Sequence, residues 1–128
     1  MKLLIVDDSI LLQERLAGMI GEIEGIEICG TAGNTLEGFE LTKKLNPDII
    51  TVDISMPGGG GIKLLEKIKD YNANIIVIIL TNYPYQEYKD KCFELGADYL
   101  FSKMKEIDSF MEVIGELSIR EKNAAGEI

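Results

Sequence analysis

The chain has no histidine and no tryptophan, only two cysteines and three prolines, and fewer bases than acids. Without imidazole, a metal would have to be held by oxygen or sulfur ligands, and proton transfer falls to carboxylates, lysine, hydroxyls or tyrosine. Cys29 and Cys92 are far apart and form no Cys-x-x-Cys, so neither a zinc site nor a redox dithiol is signalled; buried thiols in a reducing cytosol are expected. Lys and Arg total 13 against 22 Asp and Glu, a net charge of −9, which argues against nucleic acid or an anionic membrane as partner. Long apolar runs are also missing. The longest, Ile75–Leu80, is far below spanning length, and the N-terminal run meets Asp7-Asp8 too soon for a signal peptide. A soluble, cytoplasmic protein is expected.

What is present is a regular alternation. At 128 residues the chain suits one domain, burying roughly two-thirds of the surface its unfolded form exposes. Short apolar runs at Leu3–Val6, Ile26–Thr31, Ile49–Val52, Ile75–Leu80 and Tyr99–Phe101 read as strands, each followed by a segment of helical periodicity. The first helix begins near Ser9 and places Leu12, Leu16, Met19 and Ile20 on one face. The second starts at Asn34 or Thr35, turns Leu36, Phe39, Leu41 and Leu45 inward, and stops before Asn46-Pro47. The third follows Gly58–Gly61 with Ile62, Leu65 and Ile68 in register. Pro84 suits the first turn of a fourth helix that ends near Gly96, and Ile107, Phe110, Met111, Ile114 and Leu117 stripe a fifth. The central strands are apolar on both faces, as parallel strands covered by helices must be, and right-handed crossovers then favour an α/β fold with a doubly wound five-stranded parallel sheet. From Arg120 onward the apolar pattern fades, which makes residues 1–120 the domain and 121–128 a polar tail or the start of a linker.

The strand ends carry the chemistry. Asp53 closes Ile49–Val52 and faces a turn running through Ser55 and Pro57 into four glycines, while Asp7-Asp8 closes the first strand. Parallel packing gathers these three carboxylates at the sheet edge where open α/β folds place their ligands. Two carboxylates about 5 Å apart repel by roughly 3 kcal/mol at an effective dielectric of about 20, so protonation or a cation must offset the cluster. The plainer reading, that each Asp caps the helix after it, covers Asp7-Asp8 but leaves Asp53 unexplained. Thr81 and Lys103 follow the fourth and fifth strands; singly, they read as a helix cap and a solvated charge. Together, carboxylates, a hydroxyl and an ammonium at one edge suit a phosphoryl group with a divalent cation.

The ordered set of Asp7-Asp8, Asp53-x-x-x-Pro57 with Gly61, Thr81 and Lys103 resembles the receiver domain of bacterial response regulators, the phosphoacceptor half of two-component signalling, over about residues 2 to 118. The resemblance implies a flavodoxin-like (βα)5 fold with strand order 2-1-3-4-5. It implies that Asp53 accepts the phosphoryl group from a histidine kinase or phosphotransfer protein. It also implies Mg2+, with Mn2+ as substitute, at Asp7, Asp8, Asp53 and the Ser55 backbone carbonyl, and Thr81 and Lys103 on the phosphoryl oxygens. The implied role is regulatory, not that of an enzyme. A protein target would read the surface of the fourth helix, fifth strand and fifth helix, with a phosphorylation-dependent homodimer as one output.

Three positions depart from the pattern. Leu100 stands three before Lys103, where many members carry an aromatic residue; Tyr99 and Phe101 flank it but alternate onto the opposite strand face. Met104 follows Lys103 where many carry proline, and Asn82 follows Thr81 where a small side chain is favoured and would restrict access to Asp53. A flavodoxin-like carrier of FMN would need a Ser/Thr/Gly-rich phosphate loop where Asp7-Asp8 stands. A haloacid-dehalogenase-like phosphatase would show Asp-x-Asp, and the glycine run matches no nucleotide-binding fingerprint. The nearest alternative is an atypical receiver that binds partners without phosphorylation.

Overall fold

The structure, a computed structural model, describes residues 1–56, 60–82 and 86–126. Pro57, Gly58, Gly59, Tyr83, Pro84, Tyr85 and the last two residues, to which several expectations attach, lie outside the described residues. The elements alternate as β1 (Lys2–Val6), α1 (Ile10–Ile20), β2 (Glu27–Ala32), α2 (Thr35–Leu45), β3 (Ile49–Asp53), α3 (Gly60–Tyr71), β4 (Ile76–Thr81), α4 (Gln86–Glu94), β5 (Tyr99–Ser102) and α5 (Ile107–Gly126). All strand pairs are parallel, in the order β2-β1-β3-β4-β5. This is the α/β topology that the resemblance implies.

Period-two alternation along each strand divides the apolar residues between two cores. Leu4, Val6, Ile50, Val52, Val77 and Ile79 meet Leu64, Leu65 and Ile68 of α3 and Cys92 of α4. Leu3, Ile5, Ile49, Ile78 and Leu80 meet Leu16 and Ile20 of α1 and Phe110, Ile114 and Leu117 of α5. β3 is buried along its whole length, so whatever its last residue displays is held at the end of a fully buried strand.

Local chemistry starts and stops the helices. Ser9 Oγ accepts the Leu12 amide at 3.2 Å and Asn34 Oδ1 the Glu37 amide at 2.9 Å, two N-caps that satisfy otherwise orphaned donors. Asn46 closes α2 in the left-handed region at φ 48°, directly before Pro47. Gly61 permits a close approach: a Cβ there would lie 2.4 Å from Ile54 Cα and 2.5 Å from the Asp53 carbonyl oxygen. The first turn of α3 therefore presses onto the exit of β3.

One expectation needs revision. Leu36, expected inward, is 70% exposed. The buried face of α2 is that of Gly38 and Thr42, one helical turn apart, with Thr42 Oγ1 returning its hydrogen to the Gly38 carbonyl at 2.7 Å; Leu36, two residues before Gly38, points nearly the opposite way. The polar segment after Arg120 continues α5 to Gly126. Near its start, Ser118 Oγ donates to the Glu24 carbonyl at 2.6 Å and the N-terminal ammonium lies 3.4 Å from Glu121. Both cysteines are free thiols, Cys92 buried and Cys29 half-buried, and burial pushes both pKa values up.

Candidate functional site

Register carries the polar residues to one level. Val6 pairs with Val52, Asp53 with Leu80, and Thr81 with Ser102, so β1, β3, β4 and β5 end together and Asp7, Asp53, Thr81 and Lys103 converge at the C-terminal edge. Asp7 and Asp53 are buried, 2% and 3% exposed, and Thr81 is fully buried. Lys103 is not the solvated charge it resembles when read alone. Its side chain is 8% exposed and its Nζ lies 2.7 Å from Asp7 Oδ2 and 3.2 Å from Asp53 Oδ2. Nor does Thr81 begin a helix; it is the last residue of β4, and its carbonyl accepts the Lys103 amide at 2.9 Å.

Asp8 stands at the exposed mouth. One carboxylate oxygen from each of Asp7, Asp8 and Asp53 lies within 4.8 Å of the other two. One ammonium thus faces three clustered carboxylates. Partial desolvation lifts the Asp8 carboxyl above the usual 3.8, and the negative charges of Asp53 and then Asp7 push in the same direction. A set of hard oxygen donors with surplus negative charge and no nitrogen or sulfur ligand fits Mg2+.

The turns around these groups are themselves hydrogen-bonded. Asp53 Oδ1 accepts both the amide and the hydroxyl of Ser55, at 2.9 and 2.6 Å. Asp7 Oδ1 accepts the Ser9 amide at 2.9 Å, and Gln13 Nε2 donates to the Asp7 and Ala32 carbonyls at 2.6 and 3.2 Å, tying the end of β1 to that of β2. The loop after Lys103, which lacks the proline, is held by Ser102 N to Glu106 Oε1 at 3.0 Å and Lys105 N to Ser102 Oγ at 3.3 Å. Tyr99 and Phe101 stack in the core under α5, and Leu100 packs on the opposite face, as strand parity requires.

A cavity of about 360 Å³ opens over the cluster, walled in part by Ser55, Asn82, Lys103, Arg15 and Met104. Two of its apolar lining residues are open to water: Leu11 and Met104 are 68% and 81% exposed. Sequence reasoning missed Gln13, Arg15 and the Ser55 side chain. For Arg15 a signal existed, since a helical side chain leans toward the N-terminus and a long one seven residues after Asp8 reaches back to the strand ends.

Residues 3–115 match the sequence profile described as the response regulator receiver domain. The chain is 31% identical over 124 residues to a protein-glutamate methylesterase/protein-glutamine glutaminase of Methanospirillum hungatei, a match that covers 95% of this chain but spans 36% of that relative's length. It is 31% identical over 116 residues to the chemotaxis protein CheY of Halobacterium salinarum, covering 91% of this chain and 95% of that one. Among solved structures, the CheX-CheY-BeF3-Mg2+ complex of Borrelia burgdorferi superposes with a TM-score of 0.77 at 30% identity, over 88% of this chain and 87% of that one. Sequence, topology and the convergence of acidic strand ends on a buried lysine agree: this chain belongs to the response regulator receiver domain family of two-component phosphoacceptor signalling.

Proposed function

We propose that Asp53 is the phosphoacceptor of this receiver domain. The observation that carries the assignment is its placement as a buried carboxylate at the tip of the central strand, 3.2 Å from the Lys103 ammonium and within an acidic cluster open to a cavity. Asp7, Asp8, Asp53 and the Ser55 backbone carbonyl would hold Mg2+, or Mn2+ in its stead, which when bound supplies positive charge to the phosphoryl oxygens. A carboxylate is a poor nucleophile toward a dianionic phosphoryl group until that repulsion is cancelled, so catalysis here is positioning and charge neutralisation. In the transfer the P–N bond of a phosphohistidine breaks as a P–O bond to Asp53 forms. Lys103 turns from its two carboxylates toward a phosphoryl oxygen, and the Thr81 hydroxyl donates to another. The exposed apolar rim residues Leu11 and Met104 receive the donor, a sensor histidine kinase or a phosphotransfer protein.

The added charge then shifts a preexisting equilibrium toward the state that a downstream protein binds. Leucine has no hydroxyl to exchange between partners, so Leu100 cannot act as an aromatic switch, and Thr81 with the loop after β4 carries the change. Exposed Tyr88 and Phe93 on α4 offer the contact surface next to β5 and α5, for a target or for a second copy in a phosphorylation-dependent dimer. This is a regulatory role in the cytoplasm, exerted through protein contact. Incubation with Mg2+ and acetyl phosphate, followed by intact mass and borohydride trapping, should find one phosphoryl group, at Asp53, and none in Asp53→Ala. Undiminished labelling of the variant would overturn the assignment.

A further inference from the structure

The hydrogen bonds around Asp53 leave its two oxygens in unequal states. A carboxylate oxygen has two lone-pair sites. Those of Oδ1 are both filled by Ser55, the amide at 2.9 Å and the hydroxyl at 2.6 Å, whereas Oδ2 is engaged only in an ion pair with Lys103 at 3.2 Å and keeps a site open. A carboxylate that must offer one oxygen to a cation and the other to phosphorus needs a free site on each. One Oδ1 bond has to open. The amide is fixed by the backbone of the turn, but the hydroxyl swings away by rotation about one side-chain torsion. Ser55 is exposed, so water can satisfy the released hydroxyl.

We infer that the Ser55 hydroxyl is a latch on the phosphoacceptor: a positioning residue that occupies Asp53 Oδ1 in the resting state and competes with both cation and phosphoryl group for it. This rests on the assignment of Asp53 as the phosphoacceptor and adds a function for the Ser55 side chain, distinct from any part played by its backbone carbonyl. The short bond exchanges with water at an exposed hydroxyl, so its removal should be felt at the ordinary net strength of a hydrogen bond, roughly three- to tenfold in an equilibrium it opposes.

The direction separates a latch from a merely structural contact. A hydroxyl that only braces the turn would, when deleted, loosen Asp53 and weaken everything that depends on it. A latch, when deleted, strengthens cation binding and speeds phosphorylation. The test compares the parent domain with Ser55→Ala and Ser55→Thr, the latter keeping a hydroxyl. Mg2+ alone is titrated by calorimetry without any phosphodonor, and rates with acetyl phosphate at fixed Mg2+ are followed by intact mass. The latch predicts a roughly three- to tenfold tighter Mg2+ dissociation constant and a comparable rate gain in Ser55→Ala, with Ser55→Thr within about twofold of the parent. Unchanged or weaker Mg2+ binding in Ser55→Ala overturns it. If the parent accepts no phosphoryl group at all, the assignment of Asp53 fails, while the Mg2+ titration still decides the latch.

Discussion

The two ends of the sheet each bury a lysine against a carboxylate, and the two lysines do opposite things. At the N-terminal edge, the Lys69 side chain is 12% exposed, and its Nζ donates to the Ile75 and Ala73 carbonyls at 2.6 and 3.2 Å and to Asp98 Oδ2 at 2.9 Å. That same Asp98 oxygen accepts the Val77 amide at 2.9 Å, fastening α3 to the start of β4. Three donors meet three acceptors, and charge is matched one to one. At the C-terminal edge, Lys103 faces Asp7 and Asp53 with Asp8 beside them, so negative charge exceeds positive and a cavity lies above. Burial alone does not distinguish a structural lysine from a functional one. Charge balance and open volume do, because only a site with surplus charge gains by admitting a ligand.

Exchanging each lysine for methionine should separate the two roles most sharply. Lys103→Met removes the donor that stabilises the transferring phosphoryl group, and phosphorylation by acetyl phosphate should fall by about 100-fold or more. Its Mg2+ affinity should rise, since the competing ammonium is gone. Lys69→Met should phosphorylate at the parental rate but lose about 2 kcal/mol of folding stability, because two backbone carbonyls lose their donor. Rates by intact mass and urea denaturation of both variants check this. Comparable loss of phosphorylation in both would mean that the two ends are coupled and that the two lysines do not differ in role.

The charge surplus also predicts how the functional end responds to cation and pH. A cation held only by the folded carboxylates stabilises the native state by mass action; with a dissociation constant of about 1 mM, 10 mM Mg2+ should add about 1.4 kcal/mol. Asp8→Asn should lose most of that increment. The raised Asp8 pKa fixes the sign with pH. Its ionised form is penalised in the folded state, so without Mg2+ its unfavourable contribution is complete above the raised pKa and is relieved as pH falls through that value toward 3.8. With Mg2+ the trend reverses, because protons displace the ion and the Mg2+ increment shrinks over the same window. Thermal midpoints across pH, with and without Mg2+, measure both slopes. An increment that survives Asp8→Asn intact and ignores acidification would place the ion elsewhere.

These contrasts also mark what the amino-acid order discloses. Asp7, Asp53, Thr81 and Lys103 were legible because each ends a short apolar run, and parallel strands in a doubly wound sheet bring such ends to one edge. Strand parity was enough to put Tyr99 and Phe101 on one face and Leu100 on the other. The inward face of α2 was legible in part: Phe39 and Leu41 pack against the core as expected. Leu36, however, outscored Gly38 and Thr42 in any apolar count, yet a close approach favours the smaller residues, and a Cβ on Gly38 would already lie 3.0 Å from Leu64. The partners of Lys103 and the Ser55 hydroxyl were hidden for a different reason. They depend on the path of a turn, which no periodicity encodes.

Between the two ends lies a group that belongs to neither. Thr51, in the middle of β3, is buried, and its Oγ1 has no hydrogen-bond partner among the described residues. It pairs across the sheet with Ile5 and Ile78, among apolar neighbours that offer it nothing to bond. An unpaired buried hydroxyl costs free energy, and valine fills nearly the same volume with the same branched stiffness in a strand. Thr51→Val should therefore raise folding stability by up to about 1 kcal/mol, the smallest of these effects. Since both ends keep their hydrogen bonds, Mg2+ affinity and phosphorylation rate should stay at parental values. Urea denaturation, with the Mg2+ titration repeated on the variant, is the measurement. A stabilised fold with an unchanged site would show that the middle of the sheet transmits nothing between its two ends. A loss of stability would mean that the hydroxyl has a partner after all, and a changed Mg2+ affinity would mean that β3 carries packing changes to Asp53.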